Sequence, residues 1–289
     1  RSLIRVDGGR ILAFEALLRW HHPELGPISP AEFVPLAEET GMISELSYSL
    51  IRRACLDAVT WPDDLRVHVN ISARHLAEDG FSELVAAALE ESGLPPHRLE
   101  MEITESTALF AAEATLHSVA VVTDQGVTLA LDDFGTGYSA ITALHRLPIH
   151  TLKIDRSFVA DVVAEPATAA LVQGLLQLGR GMGLQVIAEG IEDLDQAAWL
   201  LDHGCAMAQG YAFGRPAPLP SPTDVLIGEV TDTPAEDVAG PLLPDALEIP
   251  VVPQPRPAMP GTPRRVVLAT DDTGKFGLFD HLADEPEDS

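Results

Sequence analysis

A series of short apolar runs, each closed at or near its end by one acidic or amide residue, sets the strongest limit on how this chain can fold. The closing residues are Glu15, Asn70, Glu102, Asp132 and Glu189. Short β-branched or aliphatic runs read as strands, and longer amphipathic ones as helices. Strand-like runs fall at residues 11–18, 66–71, 99–104, 127–131, 151–154, 184–188 and 206–211, with a partial one at 3–6. Helix-like runs alternate with them at 30–39, 44–59, 82–92, 108–124, 139–147, 166–181 and 193–202. Such alternation implies a parallel sheet, open or closed. An open doubly wound sheet gathers its ligand chemistry at one switch point, whereas here almost every strand carries a polar residue near its C-terminal end. That pattern suits an α/β fold of the (β/α)8 TIM-barrel type, whose active rim collects side chains from many strands. The first strand is expected to be truncated.

In a barrel, Glu15, Glu102, Asp132, Asp133 and Glu189 meet at one mouth, with Asn70, Lys153 and Gln209 beside them. Two anions about 4 Å apart repel by roughly 1 kcal/mol in water and about 4 kcal/mol at an effective dielectric near 20. One lysine cannot balance five carboxylates. Oxygen donors of this kind suit hard divalent ions, Mg2+ or Mn2+, rather than zinc. Vicinal aspartates let one carboxylate bridge two ions, and a pair of ions about 3.5 to 4 Å apart serves phosphoryl displacement. The formal charge of −26 argues against DNA, RNA or an anionic membrane surface as partners. An anionic substrate therefore needs local positive charge, and bound metal is its natural source.

These residues sit in segments that resemble the EAL domain, the cyclic di-GMP phosphodiesterase family: Glu15-Ala-Leu-Leu-Arg-Trp20, Asn70-Ile-Ser72, Glu102-Ile-Thr-Glu105, Asp132-Asp-Phe-Gly-Thr-Gly137, Lys153-Ile-Asp155, Ala188-Glu-Gly-Ile-Glu192 and Gln209-Gly-Tyr211. Seven segments in order, from about residue 3 to Pro216, make the resemblance specific. It implies a barrel that opens cyclic di-GMP to linear pGpG with Mg2+ or Mn2+, two ions being expected. By the same resemblance Glu15, Asn70, Glu102, Asp132, Asp133 and Glu189 bind metal, and Lys153 and Glu189 serve catalysis. Glu105 holds the loop of residues 134–139, while Leu17, Arg19, Gln209 and Pro216 contact substrate. A lysine among carboxylates tends to keep its proton, so positioning and charge stabilisation are expected of Lys153 before proton abstraction. The alternatives are a catalytically silent cyclic di-GMP receptor and a protein-interaction module. The family also pairs as homodimers and commonly follows sensory or cyclase domains.

Asp133-Phe-Gly135 matches the kinase metal-binding triplet, but no glycine-rich loop after a strand and no His-Arg-Asp catalytic loop accompany it. His21-His22 reads as a solvated turn before Pro23, and His68, His75 and His145 as surface or packing residues. Cys55 and Cys205 lack metal-ligand spacing and read as small interior residues. The chain shows no transmembrane run and no apolar leader, so a cytoplasmic location without direct membrane insertion is expected. Its start without Met suggests a piece of a longer protein with upstream domains. Residues 1–216 form the expected barrel. Beyond them, residues 217–289 hold 13 of the 23 prolines and 14 acidic residues against 4 basic ones, a composition that cannot offset its ordering entropy. That segment is expected to be a disordered acidic, Pro-rich tail. Its one apolar island, at residues 264–270 and 276–279, is the part fitted to dock on a partner or on the barrel.

Overall fold

Eight strands close on themselves around a single axis in the computed structural model, in the order β1, β10, β9, β8, β7, β6, β5, β2. They are β1 (Ser2–Arg5), β2 (Ile11–Ala16), β5 (Arg66–Asn70), β6 (Leu99–Thr104), β7 (Thr128–Phe134), β8 (Thr151–Ile154), β9 (Gln185–Ala188) and β10 (Met207–Gln209). The structure describes residues 2–5, 10–109, 111–135, 144, 146–216, 266–270 and 276–280. Seven barrel strands run parallel, and helices cross between most of them. The expected closed α/β barrel is therefore present.

The first strand departs from the expectation. The run at residues 3–6 is no remnant of a truncated parallel strand: β1 is antiparallel to both of its neighbours, Leu3 facing Ala13 of β2 and Gln209 of β10. The physical reason is connection length. Only residues 6–10 separate β1 from β2, and a parallel crossover needs about a dozen residues or more.

Between the parallel strands lie α2 (Ile43–Ala58), α3 (Ala73–Leu76), α4 (Phe81–Ser92), α5 (Glu105–Leu109), α6 (Glu113–Asp124), α7 (Arg156–Val159), α8 (Pro166–Met182) and α9 (Leu194–Asp202). Local chemistry fixes their starts. Asp193 accepts from the backbone of Gln196, whose side chain returns the bond, a capping box that opens α9. The expected helix at 108–124 is divided: α5 ends at Leu109, and α6 begins at Glu113. Most of the expected helix at 139–147 lies outside the described residues. Ile154, Val159, Val172, Leu176, Val186, Ala188, Leu200 and Cys205 form one buried core between the sheet and the last three helices. Cys55 is likewise buried, so both thiols sit as interior residues, as expected. Arg98, buried, donates to the carbonyls of Ala58, Pro62 and Leu65 and so ties the end of α2 to the strand that follows.

Residues 18–46 cluster, with the described residues 266–270 and 276–280, as a unit of their own. In the first segment β3 (Trp20–His22) and β4 (Gly26–Ile28) form a hairpin, followed by α1 (Pro30–Thr40), which Ser29 caps and Pro30 opens. His21 and His22 thus lie in a strand rather than a turn. His22 still serves the turn that follows, because its Nδ1 accepts from the amides of Glu24 and Leu25, both at 3.1 Å. Ala37, Ile43 and Leu46 make a small core there. Most of the expected tail lies outside the described residues. The exception is its apolar island, where β11 (Val266–Thr270) and β12 (Phe276–Asp280) pair antiparallel. No described helix is long and apolar enough to cross a membrane.

Candidate metal centre

Parallel strands end at a common rim, so residues near their C-terminal ends are brought together whatever their sequence separation. Glu15 is the penultimate residue of β2, Asn70 the last of β5, Asp132 and Asp133 stand near the end of β7, Glu189 just follows β9, and Gln209 ends β10. Glu102 on β6, directly opposite Asn70, and Lys153 on β8, opposite Ile187, lie before the last residue of their strands. Lys153, 1% exposed, places Nζ 2.8 Å from Glu102 Oε1, 2.8 Å from Glu189 Oε1 and 3.2 Å from Asp132 Oδ1. Three strands thus send a carboxylate to one ammonium. Glu15 is held from both sides, Asn70 Nδ2 donating to its Oε1 at 2.9 Å and Gln209 Nε2 to its Oε2 at 2.5 Å.

Adjacent residues of a regular strand point to opposite faces, yet carboxylate oxygens of Asp132, Asp133 and Glu189 lie within 4.8 Å of one another. The backbone explains how. The β7–β8 register shifts between Leu131 and Phe134, and Asp133 has φ 54°, among the described residues the one position other than glycine with positive φ. A left-handed residue costs about 1 kcal/mol or more, with Asn and Asp among its few regular occupants. That kink turns both aspartates to the mouth. Two glycines hold the neighbouring loops close. A Cβ on Gly190, where φ is +70°, would meet Arg156 Cβ at 2.2 Å, and one on Gly210 would meet the Ile191 backbone at 2.1 Å. The segment after β9 is thereby held against the end of β10, where the Ile191 amide donates to the Gln209 carbonyl at 3.1 Å.

Charge is unevenly distributed in this site. Burial raises the Glu102 carboxyl, but Lys153 and His68 outweigh it and hold Glu102 at about 2. Asp132 goes the other way: burial pushes it up to about 8, Lys153 opposing and Glu189, Glu102 and Asp133 adding to the rise. Burial also raises Asp133 and Glu189. Burial opposes the charge on Lys153, yet Glu102, Glu189 and Asp132 carry it well above its ordinary value. The site therefore keeps its ammonium and resists ionising all its carboxylates.

Stability should report this directly. Asp132 binds its proton more tightly folded than unfolded, so its contribution is fully present below about pH 4 and is lost as pH rises towards 8. The slope approaches about 1.4 kcal/mol per pH unit. Asp132→Asn should remove that share of the slope in chelator-treated protein and gain most over wild type at pH 7.5. Denaturation midpoints that differ equally at pH 5 and pH 7.5 would contradict the assignment.

The remaining expected residues are placed as follows. Glu105, buried, accepts from the amide of Gly135 at 3.3 Å, which ties α5 to the loop after β7; residues 136–139 of that loop lie outside the described residues. Leu17 and Pro216 are half-buried on the segments after β2 and β10. Arg19 is exposed, its Nη1 donating to Leu18 O at 2.7 Å. His68 corrects its expectation. It is 3% exposed inside the barrel, with Nδ1 3.0 Å from Glu102 Oε1. Glu100, which no motif marks, lies in the barrel interior too, bound by the hydroxyls of Thr128 and Thr151 at 2.9 and 3.0 Å. The signal was available: with a period of two, residue 68 shares a face with 70, and 100 with 102.

Comparison with known proteins identifies the family and the fold. The family model described as EAL domain matches residues 2–216. A signalling protein of Caulobacter vibrioides without assigned function is 42% identical over 219 residues, 76% of this chain and 27% of the relative. The bifunctional diguanylate cyclase/cyclic di-GMP phosphodiesterase MucR of Pseudomonas aeruginosa is 41% identical over 219 residues, 74% of this chain and 32% of the relative. A solved structure of the PaMucR phosphodiesterase in complex with c-di-GMP superposes with a TM-score of 0.71 at 39% identity, covering 75% of this chain and 90% of that one. The chain spans about a quarter to a third of the length of the curated relatives it matches.

Proposed function

The chain belongs to the EAL domain family, whose model covers residues 2–216, and from that membership we propose that it is a divalent-metal-dependent phosphodiesterase that opens cyclic di-GMP to linear pGpG. The observation that carries the reading is the buried Lys153 met by carboxylates on or just after three strands, with Glu15 and Asp133 close enough to act on its surroundings electrostatically. Such a site is short of positive charge and offers only oxygen donors. Glu102 Oε2 is buried without a hydrogen-bond partner among the described residues, and the oxygens of Asp132, Asp133 and Glu189 are close enough to share an ion. These residues fit hard divalent cations.

Glu15, Asn70, Glu102, Asp132, Asp133 and Glu189 would hold two ions, Mg2+ or Mn2+. Bound there, the ions would supply Lewis acidity to a phosphodiester oxygen and acidify a water. Lys153 keeps its proton and offers a fixed positive charge to the oxygen that gains charge during displacement. Gln209 orients Glu15, and Glu105 steadies the loop after β7. Arg19 contacts a substrate phosphate, and Leu17 and Pro216 lie against the nucleotide. The setting is cytoplasmic, within a longer protein in which a sensory or cyclase segment supplies regulatory input and homodimers form.

Incubation of the purified protein with cyclic di-GMP and Mn2+, followed by separation of products, tests the proposal. Metal-dependent pGpG is the expected result. Intact bound nucleotide would make the chain a receptor, and absence of binding would leave an interaction module.

A further inference from the structure

Resting on the metal-dependent reading, we infer that His68 is a positioning residue of the metal centre: its Nδ1–H fixes one oxygen of Glu102 so that the other is presented to the ions. A carboxylate that binds metal has only acceptors to offer, so in the proposed centre Nδ1 is the donor in the 3.0 Å contact with Glu102 Oε1. The same oxygen lies 2.8 Å from Lys153 Nζ. Oε1 is thus engaged from two strands, β5 and β8. Oε2, equally buried, has no hydrogen-bond partner among the described residues, which is costly unless a cation takes it.

The imidazole is itself supported from below. Glu100, 1% exposed, holds Oε1 3.6 Å from His68 Nδ1, while its Oε2 accepts from Thr128 and Thr151. Arg66 Nη1 stands 3.9 Å from that Oε2. Two threonine hydroxyls therefore orient Glu100, and Glu100 flanks the ring that orients Glu102. None of these groups reaches the rim. Their effect on chemistry passes through Glu102, in the way that outer partners of metal ligands commonly act, and loss of such a partner typically costs about 10- to 100-fold in metal affinity.

Three substitutions separate this role from packing. Asn places a side-chain N–H where Nδ1 stands, whereas Gln carries it one methylene further, and Leu has none. In Mn2+ titration calorimetry of the whole chain, His68→Asn is expected to bind within about threefold of wild type, and His68→Gln and His68→Leu about 10- to 100-fold more weakly. At saturating metal, KM for cyclic di-GMP should stay at its wild-type value in all three. If His68→Leu does not fold, the Asn and Gln pair decides, since a general need for a polar or bulky residue would move both alike. Equal affinity of the Asn and Gln variants overturns the inference while leaving the enzyme reading intact. Absence of Mn2+ binding by wild type overturns both.

Discussion

Replacing Asp132 or Glu15 by alanine is expected to lower turnover of cyclic di-GMP more than about a hundredfold, the scale on which preorganised electrostatic groups act in the transition state. The fold should survive. For Asp132 it should gain stability in the presence of chelator, because one of several mutually repelling carboxylates has gone and the buried lysine keeps Glu102 and Glu189 as partners. The paired readouts are single-turnover product formation and the thermal midpoint in chelator. Activity falling while the midpoint rises marks a site assembled at the expense of stability. Wild-type turnover in either variant would remove that residue from the reacting centre.

Lys153→Met is expected to act in the opposite direction on stability. Methionine fills much the same volume but leaves Glu102, Asp132 and Glu189 without their shared cation. Removing one partner from a buried ionic cluster costs roughly 3 to 5 kcal/mol. Chemical denaturation in chelator should show a loss of that order, and saturating Mn2+ should restore much of it by supplying the missing charge. Turnover should remain low in the restored protein, since the fixed charge proposed to stand beside the reacting oxygen is still absent. A wild-type midpoint in chelator would mean that the three carboxylates take up protons instead and need no ammonium. Wild-type turnover would show that Lys153 serves the fold alone.

The strands that carry the carboxylates are legible because short stretches with β-branched or aliphatic residues at every second position alternate with longer amphipathic ones. Residues 99–104 and 151–154 match their strands, and 66–71 differs by one residue from Arg66–Asn70. Closure into a barrel was legible from the polar residue at each strand end. The direction of β1 runs against the expectation because alternating strands and helices suggest one polarity throughout, whereas the short Val6-Asp-Gly-Gly-Arg10 connection forbids a crossover. The kink at Asp133 could not be read, since a left-handed backbone at an aspartate has no sequence mark of the kind glycine gives. His68 and Glu100 are hidden in the sequence for a different reason: their partners lie 34 and 51 residues away, at Glu102 and Thr151 respectively. Such pairings become visible only once the strands are laid side by side with their register.

The reversed first strand has a topological consequence. In a barrel whose strands all point one way, the chain enters at the floor, far from the chemistry. Here Ser2 faces Phe14 and Leu3 faces Gln209, so the polypeptide enters at the upper lip, alongside the residues proposed to seat the ions. Any segment joined ahead of Ser2 would be leashed to that lip, where a small swing or twist would bear on the proposed ion seat without being relayed through the core.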